Sequence, residues 1–253
     1  MRAAKLPSAD RVIRPRVSAA DAVFLLENGA RMDQPTFHAL YQRTPRGFNA
    51  ELIGGVVYVM PSPVSTQHAY PHARLVTWLG VYSARTPGTE SADNPTSVLG
   101  EESEPQPDAA LLIRAECGGG TRLDAKGYVI GPPELVAEVA NSTASIDLGA
   151  KKADYDAAGA REYLVILARE RRVVWYVREG SGAFTEQTPG RRGLLTSAVF
   201  PGLQLTSRAF FARDGGPLLA VLDAGLASPE HAAFVAELAT RKKTAPKKPR
   251  KSK

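Results

Sequence analysis

The sequence predicts an α/β (α+β) fold with a mixed β-sheet in one domain. Three observations carry that prediction. Segments of helical and strand character alternate as helix, strands, helix, strands, helix, the order of a sheet layered with helices. Two short apolar runs, Ala109–Ile113 and Leu135–Ala140, are bounded by proline or polar residues and read as buried strands. Apolar residues make up 43% of the 253, enough to fill a core. That length suits one large domain or two small ones.

The elements follow in order. Residues 1–17 read as an irregular arm. Ser18-Ala-Ala-Asp21 is a helix start, continued to Glu27 and stopped by Asn28-Gly29. Residues 33–50 fit neither period cleanly. Glu51 to Met60 reads as two strand pieces joined at Gly54-Gly55, a hairpin signal. Pro61-Ser-Pro63 breaks the chain. Leu75, Val76, Leu79 and Tyr82 recur at helical spacing, which predicts a helix over 67–82, with Pro71 marking its first turn or a kink. Residues 86–106 read as loop, with a short strand at 96–99. Ser145–Ala158 is a helix ended by Gly159. Residues 162–167 and 172–177 form a hairpin, and 184–187 supplies an edge strand. Residues 207–211 are a short helix. Ser228-Pro229-Glu230 opens an amphipathic C-terminal helix carrying Phe234, Val235 and Leu238.

Charge is unevenly placed. The net charge is +6, but residues 241–253 alone carry eight basic residues and no acid, so residues 1–240 are net −2. By composition that body is not a basic nucleic-acid binder. The chain divides into the arm, a domain over 18–240, and a Lys/Pro tail over 241–253 that cannot bury apolar surface and reads as disordered. The tail is either solubilising or a nonspecific phosphate attractor. The single cysteine, Cys117, excludes an intramolecular disulfide framework and a cysteine zinc cluster, and suits a reducing cytoplasm. The N-terminus has no continuous apolar core, so it does not read as a signal peptide. No apolar stretch approaches the roughly 20 residues of a membrane span, so a membrane is not among the expected partners. A homodimer is left open.

Two carboxylates hold the chemical information. Asp108 opens the first apolar run and Glu138 lies inside the second. On adjacent strands their carboxylates would meet at a shared end, and two buried carboxylates are costly unless something positive lies between them. A divalent cation is the usual solution, with Mg²⁺ or Mn²⁺ suited to oxygen ligands. On the following helix Asp147, Lys151 and Tyr155 recur at i, i+4 and i+8 and share a face. Lys152 points about 100° away and is i,i+4 to Asp156, which marks it as a surface ion-pair member and frees Lys151 for the site. Two carboxylates and a lysine at a metal is the chemistry of phosphodiester cleavage. Taken singly each has an ordinary explanation: turn chemistry for Asp108, a solvent-facing strand position for Glu138, a solvated helix for the lysines. His68 and His72, at i,i+4, have zinc spacing. Pro71 between them and the lack of a third ligand nearby in sequence favour a site-lining role for His68.

These residues also carry a resemblance. Glu104-Pro-Gln-Pro-Asp108 followed by Ala-Ala-Leu-Leu-Ile resembles the first element of the PD-(D/E)XK nuclease superfamily. The stretch from Pro133 through Glu138, Asp147 and Lys151 to Tyr155 resembles the Uma-type restriction endonucleases within it. Gly159-Ala-Arg-Glu162-Tyr163, Glu51-Leu-Ile-Gly-Gly, Ser65-Thr-Gln-His68, Phe200-Pro-Gly and Ser228-Pro-Glu-His fit the same family in the same order, over about residues 18–240. The resemblance implies a restriction-endonuclease-like core, a mixed sheet flanked by helices with metal at the sheet edge. It carries Asp108 and Glu138 over as metal ligands. It places the lysine on the following helix at Lys151, since Ala140 stands where the superfamily motif calls for lysine. It adds Glu51 as an acid that can reach the metal. The implied activity is that of a Mg²⁺-dependent DNA endonuclease. The departure at Ala140 and the net negative body favour the alternative, a catalytically inactive nuclease-fold protein that binds nucleic acid or a partner.

Overall fold

The structure is a computed structural model that describes residues 18–60 and 65–244. The predicted arm, the Pro61–Pro63 breaker and most of the basic tail lie outside the described residues. In chain order the elements are α1 (Ala19–Leu25), α2 (Gln34–Tyr41), β1 (Ala50–Ile53), β2 (Val56–Val59), α3 (Thr66–Arg85), β3 (Thr89–Asp93), β4 (Ser97–Val98), β5 (Ala109–Ile113), β6 (Arg122–Leu123), β7 (Val129–Ile130) and β8 (Leu135–Ala140). A helical segment follows, built of α4 (Ala144–Ile146), a π-helical turn (Asp147–Lys151) and α5 (Lys152–Ala158). The chain then runs through β9 (Glu162–Leu167), β10 (Arg172–Arg178), β11 (Phe184–Glu186), β12 (Leu194–Thr196), β13 (Gln204–Thr206), α6 (Ser207–Phe210), α7 (Gly216–Leu226) and α8 (Pro229–Thr244).

The central sheet has six strands in the order β11-β10-β9-β8-β5-β3. Only β8 and β9 run parallel, because the helical segment between them supplies the crossover that parallel pairing requires; the other neighbours are antiparallel. Both faces of the inner strands are covered, so β5, β8 and β9 are apolar runs buried throughout rather than alternating. One face packs Leu111, Leu135, Ala137, Leu164 and Trp175 against Leu75, Trp78 and Tyr82 of α3 and against Phe200, Phe210, Leu222 and Phe234 from the C-terminal third. The other face packs Val136, Tyr163 and Val165 under Tyr155 of α5 and Leu148. A smaller core joins α1, α2 and the β1–β2 hairpin through Ala22, Leu26, Phe37 and Leu52.

Local signals explain most of the boundaries. The Ser18 hydroxyl accepts from the Asp21 amide at 3.1 Å while the Asp21 carboxylate accepts from the Ser18 amide at 3.2 Å, a reciprocal capping box. Gly54 and Gly55 both hold positive φ, as the tight β1–β2 turn requires. Three features depart from expectation. Thr89–Asp93, within the segment read as loop, is an edge strand: its polar residues carry little strand propensity, and pairing with β5 imposes the conformation. Gly216–Leu226, where no element is expected, is a helix, and its proline sits in the first turn, where proline is well tolerated. The helix at 229 runs through Thr244, so Arg241–Thr244 are helical rather than part of a disordered tail.

Candidate active site

Asp108 and Glu138 converge. The antiparallel register pairs Ala109 with Ala137, which makes Asp108 and Glu138 the next opposed pair. Opposed residues of an antiparallel pair project from the same face. The Val139 amide donates to Asp108 Oδ2 at 2.7 Å, and the Asp108 amide approaches Glu138 Oε2 at 3.4 Å. The pair sits where the two inner strands β5 and β8 meet, with Asp108 immediately before the first residue of β5.

Lys151 completes the cluster from the helical segment. Its ammonium is 3.0 Å from Glu138 Oε1, 2.8 Å from Glu51 Oε2 and 4.0 Å from Asp147 Oδ1. The contact to Glu51 is an ion pair rather than an aligned hydrogen bond. The Tyr155 hydroxyl donates to Glu138 Oε1 at 3.1 Å, and the Gln106 amide donates to Glu51 Oε1 at 2.7 Å. The expected i, i+4, i+8 face therefore holds, with one feature that spacing does not reveal: Asp147–Lys151 is a π-helical turn, a local overwidening common at functional sites. Tyr163 O–H donates to the Asp147 carbonyl at 2.9 Å from beneath that turn. Lys152 does point elsewhere, but its expected pairing with Asp156 is absent. Asp156 is taken by Arg178 at 2.5 Å, and Lys152 Nζ lies 4.3 Å from the Tyr176 ring centroid. The hairpin strand β10 supplies both competitors, which helix spacing alone cannot show.

His68 and His72 face the same cavity from α3. His68 Nε2 is 3.3 Å from Asp108 Oδ1 and its Nδ1 is 3.1 Å from the Val139 carbonyl. His72 Nε2 lies 3.0 Å from both the Asp108 carbonyl and Asp93 Oδ1. The third ligand missing from the local sequence is thus Asp108: ligand atoms of His68, His72 and Asp108 lie within 4.8 Å of one another. Asp93 and Asp147 are lining acids that the sequence signals underrate. Asp93 sits on the edge strand that reads as loop. Helix spacing places Asp147 on the right face but assigns it no role in the site.

Glu51, His68, Asp108, Glu138, Asp147 and Lys151 all line one cavity of about 850 Å³. With Asp93, five carboxyl groups and one ammonium line it, so acids outnumber bases when the histidines are neutral. The titration behaviour follows. Burial raises the Glu138 carboxyl well above the usual range, with Asp108, Asp147 and Glu51 adding to the rise and Lys151 opposing it. Burial also lifts Asp147 to about 6, against the pull of Lys151. Asp108 falls below its ordinary value because its contacts with His68, with the Val139 amide and with Lys151 outweigh burial. His68 rises, chiefly through Asp108. Burial works against the Lys151 ammonium, yet Glu138, Glu51 and Asp147 more than compensate, so it stays protonated. Asp108 and Glu138, with Glu51 lining the same cavity, are the oxygen donors that could hold a hard divalent cation.

A solved structure, described as a putative nuclease belonging to DUF820 from Anabaena variabilis, superposes with a TM-score of 0.50 at 14% identity, covering 68% of this chain and 96% of that one. At that identity the likeness establishes fold, and the fold is a restriction-endonuclease-like core. No curated protein matches. A family profile matches residues 34–208, which span every element that contributes to the cavity. The chain belongs to the Uma2 family, described as "Putative restriction endonuclease".

Proposed function

We propose that the protein is a metal-dependent endodeoxyribonuclease, with Mg²⁺ or Mn²⁺ as cofactor and cytoplasmic DNA as substrate. The observation that supports this most strongly is that Asp108, Glu138 and Lys151, from distant parts of the chain, line one cavity, with the Lys151 ammonium 3.0 Å from Glu138. Asp108 and Glu138 would hold the cation. Bound there, it supplies a more acidic water and offsets charge developing on phosphorus.

The remaining work falls to the chain. Lys151, replacing the motif lysine absent at Ala140, reaches Glu138 from the helix. Held as an ammonium, it cannot take a proton from water. It serves as a compact fixed positive charge beside the phosphate oxygens. Glu51 and Asp147 keep it charged and in place. Tyr155 orients Glu138 through its hydroxyl. His68 braces Asp108 from the open side of the cavity.

The test is cleavage of supercoiled, linear and single-stranded DNA with Mg²⁺, Mn²⁺ or EDTA, by wild type and Glu138→Gln. Metal-dependent cleavage lost in the variant supports the reading. Absence of cleavage of every form with either metal leaves the alternative, a nuclease-fold binding module.

A further inference from the structure

A second groove lies across the N-terminal turns of α3 from the acidic cavity. It is lined by Thr66, Gln67, Tyr70, Arg74, Asn141, Arg169, Arg171 and Arg213, with Pro71, Ala168 and the 210–212 backbone beneath. Four arginines line it and no carboxylate does; Glu170 and Asp214, next in the chain to three of them, are not among the lining residues. Among the described residues ion pairs engage Arg85, Arg114, Arg172, Arg178 and Arg241, and none of the groove's four. Two of the four are anchored by neutral partners. Arg74 donates to the carbonyls of Phe210 and Ala212, and Arg171 to that of Phe211, which fixes the charges without cancelling them. Arg169 and Arg213 are exposed, and Tyr70 is 73% exposed.

The groove and the cavity share α3 as a ridge and Asn141 as a common wall. Ser65, His68, Ala69 and His72 face the cavity, while Thr66, Gln67, Tyr70, Pro71 and Arg74 face the groove. Asn141 lines both, three residues beyond Glu138, and its side-chain oxygen accepts from Arg169 Nε at 3.3 Å. An acidic centre bordered by a groove of unneutralised arginines suits a polyanion that crosses from one to the other.

We infer that the groove formed by Arg74, Arg169, Arg171 and Arg213 binds the backbone phosphates of the DNA strand beside the scissile phosphodiester, with Tyr70 presenting a stacking face to an unpaired base. This rests on the nuclease reading of the acidic cavity. Guanidinium groups match phosphate geometry. An exposed aromatic ring stacks on any base without sequence preference. The body's net negative charge conceals the groove because its positive charge is segregated on one side of a single helix.

The test is direct binding of fluorescein-labelled duplex and single-stranded oligonucleotides, followed by anisotropy over a salt series with Ca²⁺ present. Arg169→Glu/Arg213→Glu is chosen because both side chains are exposed, and its melting temperature is checked first. Affinity for both forms is expected to fall about tenfold or more. The log–log salt slope on duplex should drop by about 1.8, roughly 0.9 for each of the two phosphates no longer neutralised. The control Arg191→Glu/Arg192→Glu changes net charge equally at residues lining neither cavity, and should weaken binding far less. Tyr70→Ala should weaken single-strand binding and spare duplex binding. Wild-type affinity and slope in Arg169→Glu/Arg213→Glu, or an equal weakening in the control, would overturn the inference while cleavage by wild type still upheld the nuclease reading. A wild type that neither binds nor cleaves DNA would overturn both.

Discussion

Glu138 and Glu162 are two buried glutamates on neighbouring strands, facing opposite sides of one sheet. Both have raised pKa values, and burial is the main cause of each. Their surroundings differ. Glu162 Oε1 accepts from the amides of Ala198 at 2.6 Å and Val199 at 3.0 Å, and Oε2 accepts from the Ser197 hydroxyl at 2.8 Å. All are neutral donors, packed beside Val199 and Phe200 in the main core. Glu138 instead meets a lysine, a tyrosine and three further acids at the wall of a cavity. Burial with a raised pKa is common to both, so it does not identify a catalytic group. Charged neighbours and a place at the cavity wall are what set Glu138 apart. Glu162 stitches the 197–200 turn to β9, and Glu138 belongs to the proposed centre.

The largest expected contrast is in activity. Asp108→Asn or Glu138→Gln should reduce DNA cleavage beyond about 10³-fold, the scale on which loss of one transition-state donor already registers. Without metal Glu138→Gln should melt no lower than wild type, because burial and three neighbouring acids already disfavour its charge, whereas Asp108→Asn gives up a carboxylate held by His68 and the Val139 amide and should melt modestly lower. A sharp fall in melting temperature would make the pair structural, on a par with Glu162.

Lys151→Met should behave oppositely in stability. It strands Glu51, Glu138 and Asp147 without their ammonium, and breaking a buried pair from one side costs about 3–5 kcal/mol. Denaturant unfolding without metal should show that loss, and adding Mn²⁺ should restore part of it. A variant as stable as wild type would mean these carboxylates do not depend on Lys151 in the folded protein.

Glu162→Gln tests the other side of the comparison. Its amide can donate to Ser197 while its oxygen still accepts from the two backbone amides, so cleavage should be unchanged. In wild type the folded carboxyl, at about 7, binds a proton more tightly than the unfolded chain at 4.5. Stability should therefore fall as pH rises from 4.5 to about 7 and level off above that. The shift corresponds to about 3 kcal/mol at most. Melting curves across pH 4–8 should lose that slope in the variant; an unaltered slope would place the titrating group elsewhere.

Lys152→Ala should do least. Its ammonium lies over Tyr176 on a half-exposed surface, an interaction worth about 0.5–1 kcal/mol. Cleavage should be close to wild type. A large loss of cleavage would mean that the π-helical turn hands Lys152 to the site in solution.

The sequence by itself determined the strands that carry Asp108 and Glu138, the helix that carries Lys151, and the capping box and glycine turn that frame the N-terminal units. These are local matters: apolar runs, helical spacing and turn residues act within a few positions of the chain. It also determined that Lys151 rather than Lys152 faces inward, since Asp147, Lys151 and Tyr155 share a period. Tertiary structure decided what depends on distant partners. Thr89–Asp93 became a strand because β5 lay alongside, and Asp93 thereby reached His72. Lys152 lost Asp156 to Arg178 because β10 packs beside α5. Asp108 joined His68 and His72 across 36 to 40 residues of chain. The arginine groove draws on α3, the β9–β10 turn and the segment after α6, so a net charge summed along the sequence averages it away. Proximity of remote segments is set by packing of the whole core, and no local pattern encodes it.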